Sequence, residues 1–382
     1  MLKKVVYIFV LLVFAFFIGQ FFIMGSINKT LFHKITKDTS IYDVYNISFK
    51  KGFLTSEAEF KVALYDSSNQ NDDLKIKMIF NNNIFSKNLL EGFVVNPYVD
   101  SEIKDENLAK FSLNNSLFGK NLLSIKFVDI KINKNGKVVL NKPILNILLD
   151  KKGRLYNLDF NIEKTLVVDG GQLFEMEDFN YQLNFDKGLV SIVDIKDLND
   201  VLVTNKIDIS KLKISDLVLD KLKLNWDNKI NTTNDTYDLK LNLNIYSLIL
   251  PKELQFKKSI NDISLKFSMN DFPLIYPDAI STMTPKIYLT LISQAKSSFS
   301  IDELSCNIDN KNIYSNIDFK VDSKDFNAKG NIVANKDIIK ELPKEFSIYF
   351  IPKDDNYVLD FSFTSLNFSK NILKINGQVI RF

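Results

Sequence analysis

One cysteine, one histidine, one tryptophan and only 12 glycines stand in 382 residues. A lone Cys306 cannot close an intramolecular disulfide, so cysteine usage does not assign a compartment. His33 is the sole imidazole and follows closely on a long apolar stretch, which effectively removes Ser-His-Asp and Cys-His mechanisms. One histidine and one cysteine far apart cannot make a zinc site, and no acidic set has calcium-loop spacing, so neither metal nor cofactor is expected. The phosphate-cradling patterns G-x-x-x-x-G-K-[ST] and G-x-G-x-x-G are absent. Charge blocks are absent too. The 49 Lys+Arg and 46 Asp+Glu alternate in sign and leave a net +3, which carries no nucleic-acid footprint.

What the chain does have is apolar material. Hydrophobic residues make up 46% and phenylalanine alone numbers 32, enough for a folded body throughout. The many Asn, Lys and Ile residues read as compositional bias rather than as ligand-binding features.

From Val5 to Ile27 no residue is charged. Those 23 residues, at 1.5 Å each, reach about 34 Å, enough to cross a hydrocarbon core of about 30 Å. A cleaved signal peptide would show a shorter apolar stretch and small residues where Phe21-Phe22-Ile23-Met24 stand. An uncleaved transmembrane signal anchor over 1–28 is therefore expected. Flanking charge is nearly balanced, Lys3 and Lys4 against Lys29, Lys34 and Lys37; the short basic tail favours a cytoplasmic N-terminus and a periplasmic body on the bacterial inner membrane.

Beyond about residue 44 the hydrophobic signal has period two. Leu239, Leu241, Leu243 and Ile245 alternate with Lys240, Asn242 and Asn244; Phe179, Tyr181, Leu183 and Phe185 follow the same rule, as do Val358–Phe363 and Ile317–Val321. Successive strand side chains face opposite ways, so this pattern predicts half-buried antiparallel sheet. Asn133-Lys134-Asn135-Gly136 and the 231–235 segment predict turns. The alternation slips between Leu219 and Leu222, which requires a bulge or tight bend at Asp220-Lys221. The tetrapeptides Ile214-Ser215-Asp216-Leu217, Ile260-Asn261-Asp262-Ile263 and Ile301-Asp302-Glu303-Leu304, spaced by 260 − 214 = 46 and 301 − 260 = 41 residues, raise the question of an internal repeat against ordinary strand starts.

Helices are expected over Leu31–Lys37, Ile84–Glu91, Asp197–Thr204 and Asp278–Lys296, and near Asn335–Glu341, where Pro343 would end it. The predicted class is mainly β, a β-rich α+β chain: a transmembrane helix, then an elongated, twisted antiparallel sheet body with a few short helices. The expected divisions are the anchor 1–28, a juxtamembrane segment 29–43, a main β-rich region 44–276, and a helix plus C-terminal β-rich region 277–382.

Chemistry-bearing residues are few. Glu57/Glu59, Glu175/Glu177 and Asp354/Asp355 are carboxylate pairs of the kind a glycosidase uses, but they suit solvated strand edges and turns equally. The leucine, isoleucine and phenylalanine face of the sheet could close as a core or open as a groove for lipid or peptide.

Just past the apolar stretch, Tyr45 to Ala58 contains Phe49, Lys51, Gly52, Leu54, Thr55 and Ser56: an aromatic, a basic residue, glycine, an apolar residue and two hydroxyls. This resembles the first conserved block of the YdgA-like family of Gram-negative envelope proteins, with Leu54 where Phe is usual. The ending, Asn371 to Val379 with Asn376-Gly377, is similar to that family's closing strand and turn. The resemblance covers both ends and the general plan. It implies a periplasmic body and carries no activity or catalytic residue. Physically, Gly52 reads as a positive-φ turn residue and the hydroxyls as turn residues bonding the backbone. Two non-enzymatic readings stand beside a two-carboxylate hydrolase: a binder of lipid, peptide or protein, with a homodimer as one form, and a closed structural or assembly factor.

Overall fold

A computed structural model of the chain describes residues 24–33, 36–37, 42–64, 74–83, 86–95, 107–114, 120–132, 137–189, 200–251, 260–274, 285–322, 325–366 and 370–380. The expected anchor lies outside them except for its last residues, which begin a helix over 24–33. Among the described residues no helix is long and apolar enough to cross a membrane. The fold is mainly β and antiparallel with few short helices. The chain divides into two compact units, 1–163 and 164–382.

In the first unit the strands are β1 (Tyr42–Lys50), β2 (Thr55–Leu64), β3 (Leu74–Asn81), β4 (Asn88–Val95), β5 (Asn107–Asn114), β6 (Asn121–Phe127), β7 (Ile130–Ile132), β8 (Lys137–Asn141), β9 (Ile144–Leu149) and the start of β10 (Leu155–Asp169). They pair antiparallel in the order β1-β2-β3-β4-β5-β6-β9-β10, and the β7–β8 hairpin joins the same sheet through pairing of β8 with β10. Period two sets the faces. Ser56, Ala58 and Phe60 of β2 stand opposite Phe80, Met78 and Ile76 of β3 on the buried face, while Glu57, Glu59 and Lys77 face outward. Helix 24–33 covers the buried face through Phe32, whose ring meets Phe49 at 5.4 Å, Phe60 at 5.8 Å and Phe80 at 6.3 Å.

The helix expected over Ile84–Glu91 is corrected: from Asn88 the chain is strand β4. Leu90, Gly92 and Val94 pair with Phe80, Met78 and Ile76, so ladder pairing outweighs the local helical spacing. Likewise Leu202–Thr204 belong to a strand and not to a helix over Asp197–Thr204; residues 197–199 lie outside the described residues.

The second unit is a meander of longer strands. After the end of β10 come β11 (Gln172–Leu189), β12 (Leu202–Ile214), β13 (Leu217–Asn231), β14 (Thr236–Ile249), β15 (Ile260–Pro273), β16 (Ser298–Ile308), β17 (Lys311–Asp322), β18 (Asp325–Asn335), β19 (Ile351–Lys353), β20 (Asn356–Leu366), β21 (Lys370–Ile375) and β22 (Gln378–Ile380). From β11 to β18 each pairs with the next; β20 then follows β18, with β19 and β21 pairing along successive parts of it. Helix Pro285–Ala295, within the expected Asp278–Lys296, sets Ile292 against Phe272 and Val321. Helix Lys336–Glu341 is capped by the Asn335 side chain, which accepts from the Asp337 N–H at 3.0 Å, and it ends before Pro343 as expected. The division expected near residue 277 falls inside this unit, where β15 and β16 pair on either side of helix Pro285–Ala295.

The slip at Asp220-Lys221 takes an unforeseen form. Lys221 has φ 51°, as Asp178 of β11 has 52° and Asp262 of β15 has 49°. Registers on both sides place Asp178, Ser210, Lys221, Tyr246 and Asp262 in one line across five strands. All five are exposed. Each strand therefore carries one extra outward residue at the same level, so the registers of β11 to β14 pass the line unshifted while the apolar face changes parity. The three Ile-initiated tetrapeptides prove inequivalent: 214–217 spans a hairpin turn, 260–263 begins β15, and 301–304 lies inside β16.

Candidate functional site: a helix clamp and an apolar sheet face

Asn82, only 1% exposed, directly follows β3 and makes five hydrogen bonds. Its backbone N–H donates to the Leu54 carbonyl at 2.8 Å, and its Nδ2 donates to the carbonyls of Gly52 at 2.8 Å and Phe53 at 3.3 Å. Its Oδ1 accepts from Asn28 Nδ2 at 2.9 Å and from Ser56 Oγ at 3.2 Å. Every polar atom of the amide is thus used, which is what makes its burial tolerable. Asn28 and Phe32, one helical turn apart, form the face of helix 24–33 that meets the sheet. Above them the aliphatic stem of Lys51 lies on Gly25, and its ammonium reaches Ser26 Oγ at 3.5 Å.

Phe49, Lys51, Gly52 and Ser56 therefore converge on this helix, whereas Leu54 and Thr55 are exposed. Two sequence readings are corrected. Gly52 does not have positive φ; a Cβ there would run into the Thr55 carbonyl oxygen, so the requirement is closeness of backbone. Ser56 is fully buried and bonds the Asn82 side chain instead of a turn backbone. Asn82 and Asn28 themselves went unrecognised, since asparagine is common throughout the chain and no spacing ties position 28 to position 82. The closing pair lies in the other unit. Asn376 (φ 49°) and Gly377 (φ 81°) make a two-residue hairpin between β21 and β22. The Asn376 amide bonds the Tyr349 carbonyl at 2.5 Å and the Asp360 N–H at 2.8 Å.

The second unit presents a different surface. Register sets Tyr181, Ile207, Leu224, Leu243 and Leu265 in one row across β11 to β15, and Leu183, Asn205, Trp226, Leu241 and Phe267 in the next. The opposite face at the same level carries Gln182, Lys206, Asn225, Asn242 and Lys266. Apart from the buried Asn205, every side chain in the two apolar rows is only half-buried. Farther along, aromatic rings take over: Phe299 stacks on Phe319 at 4.0 Å and 17°, continuing through Phe326 to Phe363. In the apolar rows the one polar interruption is Asn205, whose Oδ1 accepts from Tyr181 Oη at 2.9 Å; burial raises the Tyr181 pKa.

The carboxylate pairs are engaged as anions or exposed. Glu175 and Glu177 share Lys164, at 2.5 and 3.4 Å; Glu59 pairs with Lys75; Asp354 occupies a turn. The bond from Lys164 holds the Glu175 carboxyl below its ordinary value and raises Lys164 in return. A depressed carboxylate adds stability above its unfolded pKa of about 4.3 and loses it as pH falls through the folded value; a raised lysine loses its share above about 10.4. Lys164→Met should therefore lower stability by at most about 1 kcal/mol near neutrality, since Lys164 is partly exposed. The difference from wild type should shrink below about pH 4 and above about pH 10 in denaturation midpoints measured across pH. A difference independent of pH would remove the pair from the account.

Burial also raises the Cys306 thiol pKa; this half-buried residue stands opposite Ile313. Comparison with protein-family models, with curated proteins and with solved structures finds no match to this chain.

Proposed function

We propose that the chain is an inner-membrane-tethered, non-enzymatic protein of the bacterial envelope whose periplasmic second unit holds lipid acyl chains against its apolar sheet face. The observation that carries the reading is the pair of apolar rows on β11 to β15, half-buried in the middle of a wide sheet. A close-packed core would bury such leucines fully. Aliphatic and aromatic side chains whose one polar interruption, Asn205, is already bonded to Tyr181 suit acyl chains, which make no directional demands. A lipid leaving a bilayer exchanges one apolar surrounding for another, so the hydrophobic term nearly cancels and the hold is reversible. The 23-residue uncharged stretch at the N-terminus and the likeness of Phe49 to Ser56 to the YdgA-like block support the same location.

Native mass spectrometry of the full detergent-extracted chain tests this. Wild type should retain phospholipid mass. Leu224→Asp/Leu243→Asp should lose it while keeping its β circular-dichroism spectrum. A lipid-free wild-type monomer overturns the proposal, and so does a lipid-free dimer, which would make a second copy the cover.

A further inference from the structure

The clamp leaves an apolar tip beside the point where the described chain begins. Leu54 is 63% exposed and Phe53 is 51% exposed, at the turn whose carbonyls Asn82 holds. Ile27, 52% exposed, and Leu31 form a helical stripe adjacent to the buried Asn28/Phe32 face. Asn28 and Asn82 bridge the helix to the turn directly, so stripe and tip belong to one neighbourhood. Scattered exposed leucines are ordinary on a protein surface; here the exposed Phe53 and Leu54 sit on a turn whose carbonyls a buried amide holds.

What covers it is indicated by the chain outside the described residues. Residues 5–23 carry no charge and lead straight into Met24, one residue before Gly25, on which Lys51 lies. Neither 24–33 nor 51–56 contains an acidic residue; Lys29 is exposed nearby, while Lys50 stands opposite Glu57 in the β1–β2 pair. Apolar tips flanked by lysine match the boundary between acyl chains and anionic headgroups.

We infer that the Phe53-Leu54 turn dips into the same membrane that receives the N-terminal apolar stretch, fixing the first unit against the lipid surface. This rests on the tether in the function proposed above, not on the lipid-holding face. The probe is Leu54→Trp in a Trp226→Phe background, which leaves the introduced indole as the single tryptophan of the chain. The full chain is placed in vesicles of phosphatidylethanolamine and phosphatidylglycerol whose acyl chains are brominated close to the headgroup. Flotation with the vesicles reports the tether separately. In floated protein, the introduced indole should lose most of its emission to brominated lipid and be protected from aqueous iodide. Iodide quenching without bromolipid quenching overturns the inference, and protection from both, meaning that protein covers the turn, overturns it too. Failure to float overturns the tether itself.

Discussion

Phe32→Ala should cost the first unit about 3–5 kcal/mol, the range for emptying a packed aromatic site. Phe32 is fully buried and is the ring through which helix 24–33 meets Phe49, Phe60 and Phe80, so its loss opens a cavity and removes three aromatic pairs together. The readout is native-state hydrogen exchange of the β2 and β3 amides, which separates this unit from the rest of the chain. Exchange that accelerated by less than tenfold, about 1.4 kcal/mol, would show that the helix contributes little to this core.

Asn82→Leu should cost about 3 kcal/mol or more, although leucine nearly matches asparagine in size and is more apolar. The substitution keeps the backbone bond to Leu54 and removes the other four, leaving the buried Ser56 hydroxyl and Asn28 amide and the part-buried Gly52 and Phe53 carbonyls without that partner. Each stranded buried group costs about 1–3 kcal/mol, which exceeds what the added apolar surface returns. Ser56→Ala alone should cost about 1 kcal/mol, and added to Asn82→Leu it should cost almost nothing, because its partner is already gone. Additive effects in that cycle would mean that the two side chains do not share a bond in solution.

Strands were the most legible part of the sequence, and for a physical reason. Leu239 to Ile245 and Phe179 to Phe185 repeat at the period of a pleated sheet, and β14 and β11 follow. Ile84–Glu91 misled because Leu89 and Leu90 fit a helix and a strand alike, and only pairing with β3 and β5 decides between them. The clamp was half legible. Its glycine and hydroxyl stood in a recognisable block, but their reasons lie in contacts across 25 to 54 positions, from Lys51 to Ser26 and from Asn82 to Asn28. Lone asparagines in an asparagine-rich chain give no sign of which one will be buried.

The line of Asp178, Ser210, Lys221, Tyr246 and Asp262 has a consequence for how the second unit avoids misassembly. In a plain meander of alternating residues, two strands can slide by two positions and still present leucine to leucine, so mispaired forms compete closely with the native one. Here a two-position slide would set an outward doublet beside an ordinary stretch of its neighbour and throw one flank onto the wrong side. The doublets act as notches cut at one height in adjoining planks, letting the long strands lock in a single alignment without any covalent staple.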